Sequence, residues 1–185
     1  DRRYTTFANQ DPGAHNALRS ALGGQLDPVY ETRDVPYTLY TVFRNQETLG
    51  YAFGANQRGT YSNLQIIAGL DGSGNLRKVY LQKIRSPQAE AFRDSEFLDQ
   101  LAQVPLDSYP ALLACVESGP CADTRLPRDP TDGKERDDYV ALIRGMAKLH
   151  HLRTLLLNPG EYPRDTAGRA RVEHSSLLWL PEQEY

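Results

Sequence analysis

Apolar and polar positions alternate with a period of two from Pro36 to about Ile84, and a helical period takes over on either side of that stretch. Leu39-Tyr40-Thr41-Val42-Phe43 and Gly50-Tyr51-Ala52-Phe53-Gly54 flank the turn-forming Asn45-Gln46-Glu47-Thr48, which predicts a hairpin. A second hairpin is predicted from Leu64-Gln65-Ile66-Ile67-Ala68-Gly69-Leu70 and the run from Leu76 to Ile84. Its connection, Asp71-Gly72-Ser73-Gly74, carries the Asp-Gly signal of a tight turn.

Ahead of the strands, Asp11 can cap a helix, Pro12 fits its first turn and Gly23 can end it, with Ala14, Leu18 and Leu22 as the buried stripe. Beyond Ser86-Pro87, the apolar residues Phe92, Phe97, Leu98 and Leu101 return to helical spacing, with Ser95 as the cap. Pro105 and Pro110 bound a short connection to the two cysteines, and the stretch from Thr124 to Lys134, dense in Pro, Asp and Gly, reads as an exposed loop. The strongest helical pattern runs from about Asp137 to Leu157. It has acids in its first turn, His150, His151 and Arg153 near its end, and Tyr139, Ile143, Met146, Ala147 and His150 on one side.

These elements predict an α+β fold, an antiparallel sheet of two hairpins packed by N-terminal and C-terminal helices. Residues 1–10 form an N-terminal arm, 11–158 the domain and 159–185 an extended tail. A length of 185 residues suits one domain with a proper core, and 39% hydrophobic with 24% charged residues are globular values. A net charge of −3 and the lack of a basic, aromatic-studded stripe exclude a typical nucleic-acid binder. No uncharged apolar run approaches the roughly 20 residues of a membrane span. Because the chain opens on Asp1 and its one Met is Met146, a missing N-terminal piece is expected.

Cys115-Val-Glu-Ser-Gly-Pro-Cys121 contains both cysteines and a Gly-Pro turn that can bring them within bonding distance. A disulfide there places the chain in an oxidising compartment, periplasmic or extracellular; a reduced pair in a cytosolic protein is the alternative. Asp71, Ser73 and Asn75 begin like a calcium loop, but Leu76 stands where Gly is needed and Gln82 where a bidentate Glu is needed, so a plain turn is expected. His150 and His151, adjacent on a helix, point about 100° apart and cannot share one ion. There is no nucleophile elbow, Walker loop or dinucleotide fingerprint, so no catalytic residue or metal site is assigned. Leu177-Leu178-Trp179-Leu180, an apolar cluster in a polar tail, must fold back on the domain or dock on a partner.

Thr48 to Phe53, Gly59 to Asp71, Gly74 to Val79, Ser86-Pro87 and Phe97 to Leu101, in the order helix, hairpin, hairpin, helix, loop, helix, carry a resemblance. From about Ala14 to Leu157 the chain resembles the FMN-binding domain of peripheral subunits of sodium-pumping quinone reductase, of the related ferredoxin oxidoreductase and of nitrous-oxide regulators. The resemblance implies a curled sheet, with Tyr61, Ser86, Pro87, Gly133 and Lys134 as the cofactor-binding candidates. It also implies attachment to a membrane-bound redox complex, respiratory or photosynthetic, as partner.

One departure bears on function. Relatives that hold FMN covalently attach its phosphate to a Thr in a Ser/Thr-Gly-Ala-Thr motif opening the last helix, where free N–H groups and the helix dipole suit a phosphate. Here the matching place reads Thr131-Asp132-Gly133-Lys134-Glu135-Arg136-Asp137-Asp138, without that acceptor, and its acids repel a phosphate while Lys134 and Arg136 partly offset them. The Pro-Gly-Leu-Gly loop of some relatives is replaced by Ser86-Pro87-Gln88-Ala89-Glu90, with no glycine for close backbone approach. No bound cofactor is therefore expected, and the expected role is a non-catalytic accessory or assembly subunit at the extracytoplasmic face of such a complex. The alternative is an electron-transfer flavoprotein holding FMN non-covalently between the Ser86-Pro87 loop and the Gly133 helix start.

Overall fold

Residues 2–5, 16, 19–20 and 37–157 are described by the structure, a computed structural model, with backbone alone for residues 2–5. The helix expected over Asp11 to Gly24 falls outside them apart from Asn16, Arg19 and Ser20, which are helical and exposed; the tail 159–185 and its Leu177, Leu178, Trp179 and Leu180 lie outside them too.

The alternating stretch folds as an antiparallel meander. Its strands are β1 (Arg2–Thr5), β2 (Tyr37–Arg44), β3 (Glu47–Arg58), β4 (Asn63–Asp71) and β5 (Leu76–Lys83), hydrogen-bonded in that order. Both expected hairpins are present. The first closes more tightly than expected: Arg44 pairs with Glu47, and Asn45 and Gln46 take φ values of 48° and 73°, the two left-handed residues that match the twist of a hairpin. β3 outlasts Gly54 because Ala55 and Gln57 keep pointing to the buried side. Within the stretch expected to be an arm, Arg2–Thr5 pairs with Tyr37–Tyr40 and adds an edge strand.

At the β4–β5 turn, the Asp71 carboxylate accepts hydrogen bonds from Ser73 N (3.0 Å), Asn75 N (2.9 Å) and Arg77 Nε (2.9 Å), while Gly74 supplies a φ of 82°. The would-be calcium ligand is the organiser of a plain turn.

Two short helices follow, α1 (Ala89–Arg93) and α2 (Ser95–Gln103). The cap of α2 is Asp94 and not Ser95: its extended backbone and short carboxylate let it accept from Glu96 N and Phe97 N, whereas Ser95 is already helical. The expected connection after Pro105 is a 3₁₀ turn, Leu106–Ser108, leading into a further helix, α3 (Tyr109–Glu117). Pro110 opens that helix instead of interrupting it, since the first turn needs no N–H from it. Cys115 and Cys121 are joined in a disulfide with Cα atoms 5.3 Å apart, tying the last turn of α3 to the loop beyond it.

The last described element, α4 (Arg136–Leu157), runs between layers, against β3 and β4 on one side and α3 on the other. It is therefore buried on more than one stripe: Tyr139, Ile143, Met146 and Ala147 as expected, and also Leu142, Leu149 and Leu152. Gly145 marks its closest approach to the sheet, where a Cβ would stand 2.2 Å from Ile66 Cδ1. A mid-helix glycine costs about 1 kcal/mol against alanine, and the contact explains why it is tolerated. Lys148, fully buried, donates to Asn56 O at 2.8 Å with its ammonium 5.5 Å from the centre of the Tyr37 ring.

Candidate functional site

The start of α4 is built by local hydrogen bonds. Asp129 Oδ1 accepts from Thr131 N (2.9 Å) and Thr131 Oγ1 (2.7 Å); Thr131 Oγ1 in turn accepts from Glu135 N (3.1 Å), and Thr131 O from Lys134 N (3.2 Å). The chain turns at Asp132 and Gly133, with φ of 50° and 85°, so Gly133 serves the turn through its freedom in the left-handed region. Thr131 is only 3% exposed, and its hydroxyl is committed both as donor and as acceptor.

From the other side, the β3–β4 loop is clamped onto the same helix start. Thr60 N donates to Asp138 Oδ1 at 2.7 Å, and a Cβ on Gly59 would come within 2.9 Å of that oxygen. Asp138 is 1% exposed, and its Oδ2 has no hydrogen-bond partner among the described residues. Next to it the half-exposed Tyr61 donates to Glu135 Oε1 at 3.5 Å, and desolvation followed by the Glu135 charge raises its phenol pKa.

An open cleft of about 470 Å³ separates α1 and α2 from the loop before α4. Glu90, Asp94, Glu96, Asp129 and Asp132 face it with Arg128 as the one basic residue, and Arg128 is bound to Asp132 at 2.7 Å. Of the candidates, Tyr61 is brought to Glu135, next to Gly133 and Lys134. Ser86 and Pro87 do not join them: Ser86 Oγ accepts from Gln88 N (3.2 Å) and its carbonyl from Ala89 N, so this pair shapes the turn into α1. None of the five lines the cleft, which draws on residues three to thirteen positions after Pro87 and on the loop just before Gly133.

These residues do not fit a flavin phosphate. A carboxylate about 7 Å from an anionic charge opposes it by about 2 kcal/mol at an effective dielectric near 20, less where solvent screens. Five of them face the cleft, whereas its one guanidinium already serves Asp132. The nearest threonine hydroxyl, that of Thr131, is buried and doubly used. Nor do the acids form a cation site: among the described residues no group of three or more His, Cys, Asp or Glu side chains is disposed to hold a metal.

The histidine pair lies elsewhere, near the end of α4. His150 Nδ1 sits 3.2 Å from Asp107 Oδ1, which Arg153 also engages, and the two imidazole rings stand edge to face 4.9 Å apart. Burial, aided by the neighbouring His150, lowers the pKa of His151 to about 4.

Of the acids of the cleft, sequence reasoning singles out Asp132 alone, among the charges that repel a phosphate, and misses Glu90, Asp94, Glu96 and Asp129. Glu90 and Asp94 are four positions apart, as are Arg128 and Asp132, yet nothing in the order of residues says that the two pairs face each other. No protein-family model matches this chain, and neither the curated proteins nor the solved structures include a match to it.

Proposed function

We propose that the chain is a non-catalytic accessory or assembly subunit, on a scaffold of FMN-binding-domain type, held at the extracytoplasmic face of a membrane redox complex. The observation that carries this reading is the start of α4. Where the resembling flavoproteins present a threonine to the phosphate, Thr131 is buried with its hydroxyl bound on both sides, and the adjoining cleft is lined by carboxylates. The Cys115–Cys121 disulfide supports an oxidising compartment. No helix among the described residues is long and apolar enough to cross a membrane, which agrees with attachment through other subunits.

The test is optical and genetic. Material purified from its native host is expected to show no flavin bands, to bind no FMN added at micromolar concentration, and to leave a weakened complex when its gene is removed. A stoichiometric yellow chromophore would overturn the reading in favour of an electron-transfer flavoprotein.

A further inference from the structure

The strand register sorts the sheet into two faces, and the one turned away from α4 carries an unusual combination of side chains. Two rows cross it: Tyr40, Ala52, Gly69 and Lys78, then Gly54, Ile67 and Tyr80. The floor is thus Ala52, Gly54, Ile67 and Gly69, and the walls are Tyr40 and Tyr80, 51% and 59% exposed. A depression of about 220 Å³ opens over Gly54 and Ile67, bounded by Tyr40, Gln65 and Gln82. Gly54 is needed for it, because a Cβ there would stand 2.8 Å from Ile67 Cδ1. The floor is uncharged. Lys83 pairs across from Gln65 at the polar end of the trough, and Arg85 follows.

The chain contains a segment of matching chemistry. Leu177-Leu178-Trp179-Leu180 holds its one tryptophan, and Glu182 and Glu184 follow immediately. Leu157, where the described chain stops, sits at the β4–β5 turn against Gly74, so the tail departs from one end of this sheet. Residues 158–176, extended at about 3.3 Å each, outreach any strand in it.

We propose that the tail segment Leu177–Leu180 covers the outer face of the sheet of its own chain. Trp179 occupies the depression over Gly54 and Ile67 beside Tyr40, and Glu182 and Glu184 lie towards Lys83 and Arg85. The trough offers an aromatic ring a flat, glycine-lined seat, with Tyr40 for an edge-to-face contact. Complementary charge sets the direction of the segment. This inference is independent of the role proposed above.

Trp179 is its own reporter. In the intact chain its fluorescence is expected to be blue-shifted and shielded from acrylamide. Tyr40→Ala and Ile67→Lys should each shift it to the red and raise quenching towards the urea-unfolded value, with far-UV circular dichroism unchanged. In the full-length Trp179→Ala variant, a synthetic peptide of residues 172–185 should bind saturably, and Tyr40→Ala should weaken that binding about tenfold or more. An emission as exposed as in urea overturns the proposal. So does a shielded Trp179 that ignores both face variants, which would place another segment, such as the Ala14–Leu22 stripe, on the face. Shielding that appears only as the mass doubles with concentration overturns it in favour of a second copy.

Discussion

Ile66 and Ile67 are neighbours on one strand, and almost everything that differs between the two faces of the sheet can be read from them. Ile66 points to the helices, lies between Ala55 and Leu81 across the strands, is fully buried and meets α4 at Gly145. Ile67 points the other way, between Gly54 and Tyr80, and is only half-buried. The inner face is filled by branched and aromatic side chains interlocked with α4. The outer face is a flat trough of small residues between tyrosines. The same strands therefore make a core on one side and a seat on the other, because side chains alternate across a pleat.

The sharpest way to break this comparison is to truncate each isoleucine. Ile66→Ala should cost about 2–5 kcal/mol, as a large-to-small change at a site that cannot collapse. Ile67→Ala should cost about 1 kcal/mol or less, its apolar area being only partly withdrawn from water. Urea titrations compare them directly, and equal midpoints would dissolve the distinction between the faces.

The layer covering the inner face can be loosened next. Replacing both Cys115 and Cys121 by Ser frees the end of α3, and the closure entropy of so short a loop is about 2 kcal/mol, read as a lower unfolding midpoint that reductant does not lower further.

A smaller effect comes from His151 on α4, whose pKa of about 4 in the folded chain lies below the ordinary value near 6.5. A depressed histidine stays neutral when folded while the unfolded chain takes up the proton, so its contribution is present above pH ~6.5 and is lost as pH falls towards 4. Since the ring is partly open to solvent, about 1–2 kcal/mol is expected. His151→Gln should flatten that part of the pH profile of stability.

At the helix start, Thr131→Val keeps the shape and removes the cap, for about 1 kcal/mol. Smallest of all is Lys78→Ala on the outer face: its pair with Asp99 is exposed on both sides, and a change under about 0.5 kcal/mol is expected.

How much of this was legible in the residues depended on distance along the chain. The hairpins were, since alternation and turn chemistry are local: Asp71, Gly74 and Asn45 act where they stand. The disulfide was, because only six positions separate its cysteines. Where two local signals competed, the wrong one was preferred. Pro110 reads as a boundary until Tyr109 and the buried Leu112, Leu113 and Val116 show it inside a first turn, and Ser95 reads as a cap until Asp94 takes both N–H groups. The candidate site was least legible. Tyr61 and Gly133 were brought to the same helix start, but the acids facing the cleft come from segments more than thirty residues apart and meet only through packing.

The placement of α4 has a consequence for how the molecule is made. A meander of neighbouring strands needs only short loop closures, so β2 to β5 can pair as soon as they are delivered, N-terminus first, from the ribosome or through a translocation pore. The helix that covers the apolar face of β3 and β4 begins only at Arg136, after three helices, a 3₁₀ turn and the disulfide loop. Until it arrives, Phe53, Ala55, Leu64 and Ile66 on β3 and β4 form an open greasy surface on a nascent sheet. Biogenesis thus has a vulnerable interval fixed by gene order, in which a chaperone that holds extended chains does most for yield, and a chain stopped before Leu157 is a substrate for degradation.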